Sequence, residues 1–320
     1  MNVERIILNF PLIRFFIDKS KKIVLPGFDE VPLYDVMVFF KEQVRRVGLT
    51  ERASAISYNF IMAIPPTCLF LFTLIPQLPF VRTNALIRQL HGIIRDMIPA
   101  DQYNRQIIDF IDSFLMGNPR IGLLSVGFIL TIFFASNGMM GIMRSFNKNY
   151  IGFEKRTGLH TRWVAIKLTS IIMGLVLACL AILIMQGHVL GWLGIENTQL
   201  RAFIRAIRWV FIVALIFNAI AFIYKYAPAI PKRWKLISPG AILATFLSIL
   251  TTLGFSMFIN NFGKYNALYG SIGTIIVLMT IIYINSLVLL IGYELNVSIH
   301  SLKAMSVERE KQEEALENNS

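Results

Sequence analysis

Six stretches of the chain contain no Asp, Glu, Lys or Arg: 53–81, 121–143, 168–195, 209–224, 236–263 and 265–293. They run 29, 23, 28, 16, 28 and 29 residues. A helix that crosses a bilayer needs about 20 largely apolar residues. Five stretches meet that length outright. The fourth meets it when extended back through Ala202, with Arg205 and Arg208 near its end, where long side chains snorkel to the headgroups. One such stretch could be a buried helix of a soluble core; six in one chain predict an all-α, polytopic membrane protein with six transmembrane helices. Asn260 to Tyr269, around the single charge Lys264, reads as a tight polar turn between spans five and six.

The polar segments carry patterns of their own. Within 34–50, Val36, Met37, Phe40, Val44 and Val47 recur at helical spacing, and Lys41, Glu42, Arg45 and Arg46 cover the other face. This predicts an amphipathic helix lying in the membrane interface ahead of span one, against the alternative of a helix packed on a small N-terminal domain. Residues 82–120 exceed what a connector needs. Leu86, Leu90, Ile93, Ile94 and Met97 form one stripe, and Ile107, Ile108, Ile111, Phe114 and Leu115 another, with Pro99 and Asp101 between. They predict an outer helical hairpin, either packed on the bundle or serving as a lid or docking site. The tail 301–320 is rich in charge and amide from Glu308 onward and is expected to be disordered. The organisation is then a cytoplasmic region 1–52, a membrane domain 53–300 and the tail.

Charge sets the orientation. The chain has 31 Lys and Arg against 19 Asp and Glu, net +12. Of the 31, 22 fall in the N-terminal region, the loops after spans two and four, and the tail. The more basic side faces the cytoplasm, so both termini are expected there. The same distribution favours anionic headgroups as partners over nucleic acid, which would want the charge on one folded face. No basic head, apolar core and cleavage site follow in order at the N-terminus, so span one is expected to act as an uncleaved insertion signal. Cys68 and Cys179 each lie in an apolar run and read as small buried hydrophobes, with no disulfide framework or metal pair.

Four segments resemble the YihY/BrkB family of bacterial inner-membrane proteins. They are RASAISYNFIMAIPP from Arg52 with Ile75-Pro76, SNGMMGIMRSFNKNY from Ser136, YKYAPAIPKRWKLISPGAILAT from Tyr224, and YGSIGTIIVLMTIIYINSLVLLIGYELN from Tyr269. Thr280 to Tyr283 stand where a Trp-rich stretch is expected. The resemblance implies the six-span fold and an inner-membrane location. It also brings an old ribonuclease label tied to transfer RNA processing, a name linked to serum resistance, and a connection of some members to movement of lipid precursors. It transfers no catalytic motif.

The residues themselves offer little for hydrolysis. His91, His160, His188 and His300 form no metal-ligand spacing, and the predicted topology divides them between the two sides. No phosphate-binding glycine loop or nucleophile elbow is present, and no cofactor is implied. Polar residues within spans are costly in lipid and so informative. Asn59, Asn137, Gln186, Asn218, Asn285 and Glu294 are the candidates, with interhelical hydrogen bonding as the plain alternative. Glu294 needs a cation, and Arg52, Arg144 and Lys167 lie on its side. Arg52, Arg144, Lys167, Lys232, Arg233 and Lys235 are expected to contact headgroups. Pro65 and Pro66 remove two backbone donors and are expected to break span one. Gly138 and Gly141, and Gly270, Ser271 and Gly273, are the expected helix crossings. These features point to a non-enzymatic protein handling phospholipid or glycolipid precursors or supporting envelope integrity. The rivals are a structural protein docking an envelope partner on its outer face, and the ribonuclease of the old label.

Overall fold

In the computed structural model, residues 18–74, 91, 108–109, 112, 121–146, 157–192, 198–230, 233–261 and 265–317 are described. The fold is all-helical, with no strand among the described residues. The main helices are α1 (Leu33–Arg46), α2 (Leu49–Leu74), α3 (Ile121–Phe146), α4 (Gly158–Trp192), α5 (Thr198–Tyr226), α6 (Pro239–Asn261) and α7 (Tyr265–Glu317). Each of α2 to α6 packs on the next helix in sequence, and α7 packs on both α6 and α2. The six therefore close into a ring.

The buried residues show how the ring is built. They lie at the start of α2 (Ala53, Ile56), the end of α3 (Ile142, Met143, Phe146), the start of α4 (Ala165, Leu168), the end of α5 (Ala221, Tyr224), the start of α6 (Ala241, Ala244) and mid-α7 (Leu290, Tyr293, Val297). Starts and ends alternating at one level mean that successive helices run antiparallel. That level is the end of the ring that carries Arg52, Arg144 and Lys167. Away from it, large apolar side chains such as Ile129, Val210, Leu253 and Met257 stand exposed, a surface suited to lipid rather than water.

Five helices among the described residues are long and apolar enough to cross a membrane: α3, α4, α5, α6 and α7. They correspond to predicted spans two to six. Predicted span one is the helix α2, which joins the ring but does not meet that measure over its described residues; 75–81 of that span lie outside them. The helices of spans two, three, four and six each extend beyond their charge-free run, while α6 lies within that of span five. α4 starts at Gly158, so Arg162 and Lys167 sit on a helix and not in a loop.

α1 ends where Gly48 takes a left-handed φ of +62°, turning the chain into α2. Asp35 in its first turn and Arg45 and Arg46 in its last complement the helix dipole. Val36 is fully buried in a small cluster with Phe28, Val31, Leu295 and Ile299, so this stripe packs on α7. Met37 of the predicted stripe and its neighbour Val38 remain exposed.

Two expectations fail. Residues 301–317 are helical, as the continuation of α7, and not disordered. A segment rich in Glu, Lys, Gln and Ala has good helix propensity, and it extends an existing helix without a nucleation cost. α2 runs unbroken through Pro65 and Pro66. Each ring removes one donor, but the flanking turns hold, and Thr67 adds a side-chain bond to the Ala63 carbonyl at 2.7 Å.

Candidate functional site

The densest polar chemistry lies where α2, α3 and α7 converge. Glu294 of α7 has no exposed surface, and Arg52 of α2 is 4% exposed. The Arg52 guanidinium donates to Glu294 Oε1 at 2.6 Å and also to the Ser145 carbonyl near the end of α3. One side chain thus ties three helices and uses a carbonyl that the end of α3 leaves without a helical partner. Aromatic rings close the cluster. Phe146 and Tyr293 stack with centroids 3.6 Å apart, the Tyr293 hydroxyl donates to the Phe146 carbonyl at 2.9 Å, and the Tyr224 hydroxyl donates to the Leu289 carbonyl at 2.6 Å.

About two turns away along α7, in the apolar part of the bundle, lie two further polar contacts. Ser57 of α2 donates to Ser286 at 3.2 Å, and the Ser248 hydroxyl of α6 donates to Asn285. In the opposite direction, Asn296 caps α6. Its Oδ1 accepts the Gly240 N–H at 2.8 Å, and its Nδ2 donates to the Ser238 hydroxyl at 2.9 Å. The backbones of α6 and α7 touch here: a Cβ on Gly240 would stand 2.1 Å from the Gly292 carbonyl oxygen.

Beside this contact lies a cavity of about 500 Å³, built from three separate segments. The loop before α1 supplies Gly27, Asp29 and Glu30; the loop before α6 supplies Arg233, Trp234, Lys235 and Ile237; α7 supplies Asn296, Ile299, His300 and Lys303. Asp29 and Glu30 are consecutive non-glycine residues in the left-handed region, φ +48° and +70°. Such backbone costs about 1–3 kcal/mol per residue and persists only where its surroundings enforce it. Here Phe28 and Val31, both buried, hold the loop on α7, and Lys303 donates to Glu30 at 2.8 Å. That ammonium holds the Glu30 carboxyl below its ordinary range.

The structure sorts the predicted residues. Arg52 pairs with Glu294 and is buried, so it does not contact headgroups; α2 starts at Leu49, which turns Arg52 inward against α7. Arg144, Lys167, Arg233 and Lys235 are exposed, and Lys232 lies outside the described residues. Asn137 accepts from Arg162, whose guanidinium also lies 4.3 Å from the Phe133 ring centroid, joining α3 to α4. Asn59 returns its amide to the Ala55 carbonyl and stands against Gly141, where a Cβ would lie 3.0 Å from it; this is a crossing of α2 and α3. Asn218 is exposed and, among the described residues, bonds only to the Ala214 carbonyl of its own helix. The Gln186 side chain and the Gly270–Gly273 crossing are not among the described side chains. Of the predicted outer hairpin, His91, Ile108, Asp109 and Asp112 are described, and His91 lies 2.8 Å from Asp112; the rest falls outside the described residues. No three His, Cys, Asp or Glu gather as a metal-binding group among the described residues. Sequence reasoning missed the cavity, the Gly240–Gly292 crossing and Asn296.

Residues 40–317 match the family described as Virulence factor BrkB. The chain belongs to the BrkB family. A Bacillus subtilis (strain 168) protein named as ribonuclease-like, YfkH, is 31% identical over 280 residues, covering 84% of this chain and 98% of that protein. A UPF0761 membrane protein of Aliivibrio fischeri (strain MJ11) is 22% identical over 273 residues, 83% of each chain. Another, from Alkalilimnicola ehrlichii, is 22% identical over 279 residues, 83% of this chain and 58% of its own length. No solved structure matches the chain. Family and apolar helices together make this BrkB protein a multi-pass membrane protein.

Proposed function

We propose that this BrkB protein is a non-enzymatic protein of the bacterial inner membrane, with both termini cytoplasmic, that helps phospholipid or glycolipid precursors across or out of the bilayer. The observation that carries the reading is the set of polar groups along α7, Asn285 and Ser286 at one level and Glu294 and Asn296 about two turns away, in a bundle whose outer surface is apolar. A lipid crossing a membrane needs a polar track for its headgroup beside hydrocarbon for its chains, and polar residues inside spans are costly enough that they commonly mark substrate pathways. The test is reconstitution in liposomes with a fluorescent phospholipid and a membrane-impermeant quencher. Faster exposure of inner-leaflet probe than in protein-free vesicles supports the reading. No acceleration at any protein density, with the protein folded and inserted, overturns it.

A second reading is a structural or partner-docking protein, with an envelope protein on the outer face. The tight packing of Phe146, Tyr224, Tyr293 and the Arg52–Glu294 pair favours it, because it seals one end of the ring. The ribonuclease-like name belongs to the Bacillus relative, and no residue cluster described here supports that chemistry.

A further inference from the structure

We propose that the cavity formed by 27–30, 233–239 and 296–303 binds the phosphate of a phospholipid headgroup from the cytoplasmic leaflet. This deepens the lipid-handling reading and rests on it.

The argument begins with the cations. Arg233, Lys235 and Lys303 line the cavity, against Asp29 and Glu30. Lys303 and Glu30 neutralise each other at 2.8 Å. Among the described residues, no ion pair engages Arg233 or Lys235. The Arg233 guanidinium lies 5.2 Å from the Tyr226 ring centroid, a contact that orients the group and leaves its N–H donors for an anion. The second observation is Trp234. Its side chain lines the same cavity, and its buried indole N–H has no hydrogen-bond partner among the described residues. A buried donor without an acceptor is costly, and a phosphate oxygen would satisfy it. The third is the backbone. Two consecutive left-handed residues, pinned on both sides by buried Phe28 and Val31, form the kind of strained loop that ligand clamps hold.

The choice of a lipid over free phosphate comes from the apolar wall. Ile237 lines the cavity while 69% exposed, and Ile299 lines it from α7. An exposed isoleucine beside two cations suits a molecule with a phosphate at one end and hydrocarbon at the other. Asp29, which also lines the cavity, offers a carboxylate to an amine-bearing headgroup.

The experiment measures binding of dihexanoylphosphatidylglycerol and dihexanoylphosphatidylethanolamine to the purified full chain in detergent, by calorimetry. Arg233→Ala and Lys235→Ala should each weaken binding about tenfold, the worth of a charged hydrogen bond. Trp234→Phe keeps an aromatic side chain without the N–H and should weaken it about fivefold, the worth of a neutral one. Arg309→Ala removes an equal charge from the far part of α7 and should change nothing. Equal affinity in wild type and the Arg233→Ala, Lys235→Ala double variant, with both folded by circular dichroism, overturns the proposal. Displacement of the lipid by an equal concentration of inorganic phosphate removes the lipid from it. The readout is binding alone, so failed lipid movement with intact binding sinks only the transport reading. No lipid binding by the wild-type chain, with lipid movement intact, sinks only the site.

Discussion

Replacing Glu294 by Gln keeps the shape of the side chain and removes its charge. Arg52, 4% exposed and reaching Glu294 at 2.6 Å, would then hold a buried guanidinium with no carboxylate. Breaking a buried pair from one side costs about 3–5 kcal/mol, chiefly the uncompensated charge left behind. Its second bond, to the Ser145 carbonyl, survives and moderates the loss toward the lower figure. At roughly 2–4 °C per kcal/mol for a chain of this order, Glu294→Gln should lower the melting temperature by about 10 °C. Arg52→Met should do the same, and the double variant should lose far less than the two together, because neither charge is then stranded. The assay is thermal unfolding of the four proteins in one detergent. Additive losses would refute the pairing argument. A Glu294→Gln melting temperature within a degree of wild type, with lipid movement abolished, would refute the clamp and assign the carboxylate to the track.

Three further outcomes are expected. Gly292→Ala should destabilise by about 3 kcal/mol or more, because its Cβ would lie 2.5 Å from the Gly240 carbonyl oxygen and 2.6 Å from the Tyr224 hydroxyl; urea or detergent titration reads it. Asn285→Ala should cost about 1 kcal/mol through the lost Ser248 bond, while Asn218→Ala, exposed and bonded within its own helix, should cost almost nothing in the same titration. A cysteine introduced at Asn104 should react with an impermeant maleimide on intact cells, and one at Asn149 only after permeabilisation; the reverse pattern would invert the assigned orientation.

The spans were legible because charge is excluded from hydrocarbon whatever the packing, so runs such as 121–143 and 236–263 mark their own positions. Their ends were less legible. Arg162 and Lys167 interrupt the charge-free run but not α4, because a helix can continue while its charged side chains reach water or a neighbour. The tail was misread for a related reason: composition reports whether a segment has an apolar face, not whether it prolongs a helix already formed. Glu294 stood out in the sequence as an acid needing a cation, with three candidates. Choosing Arg52, 242 positions away, required the ring closure of α7 on α2. Asn218 looked equal to Asn285 until the helix faces were known. The cavity left almost no trace, since its three segments are distant in sequence and left-handed backbone at Asp29 and Glu30 has no compositional signature.

α7 is one unbroken helix of 53 residues, and at 1.5 Å per residue it is about 80 Å long, far more than the roughly 30 Å of hydrocarbon it has to cross. Packing on α1 and α6 holds α7 as far as Ile299, and Lys303 is tied to the strained loop at Glu30. The 14 residues that follow Lys303, up to Glu317, therefore form a stiff arm of about 21 Å with its root beside the cavity. A rotation of about 10° at that root carries the end of the arm about 4 Å, from the same rise per residue. A load on the far end of α7 thus bears directly on the Lys303–Glu30 contact.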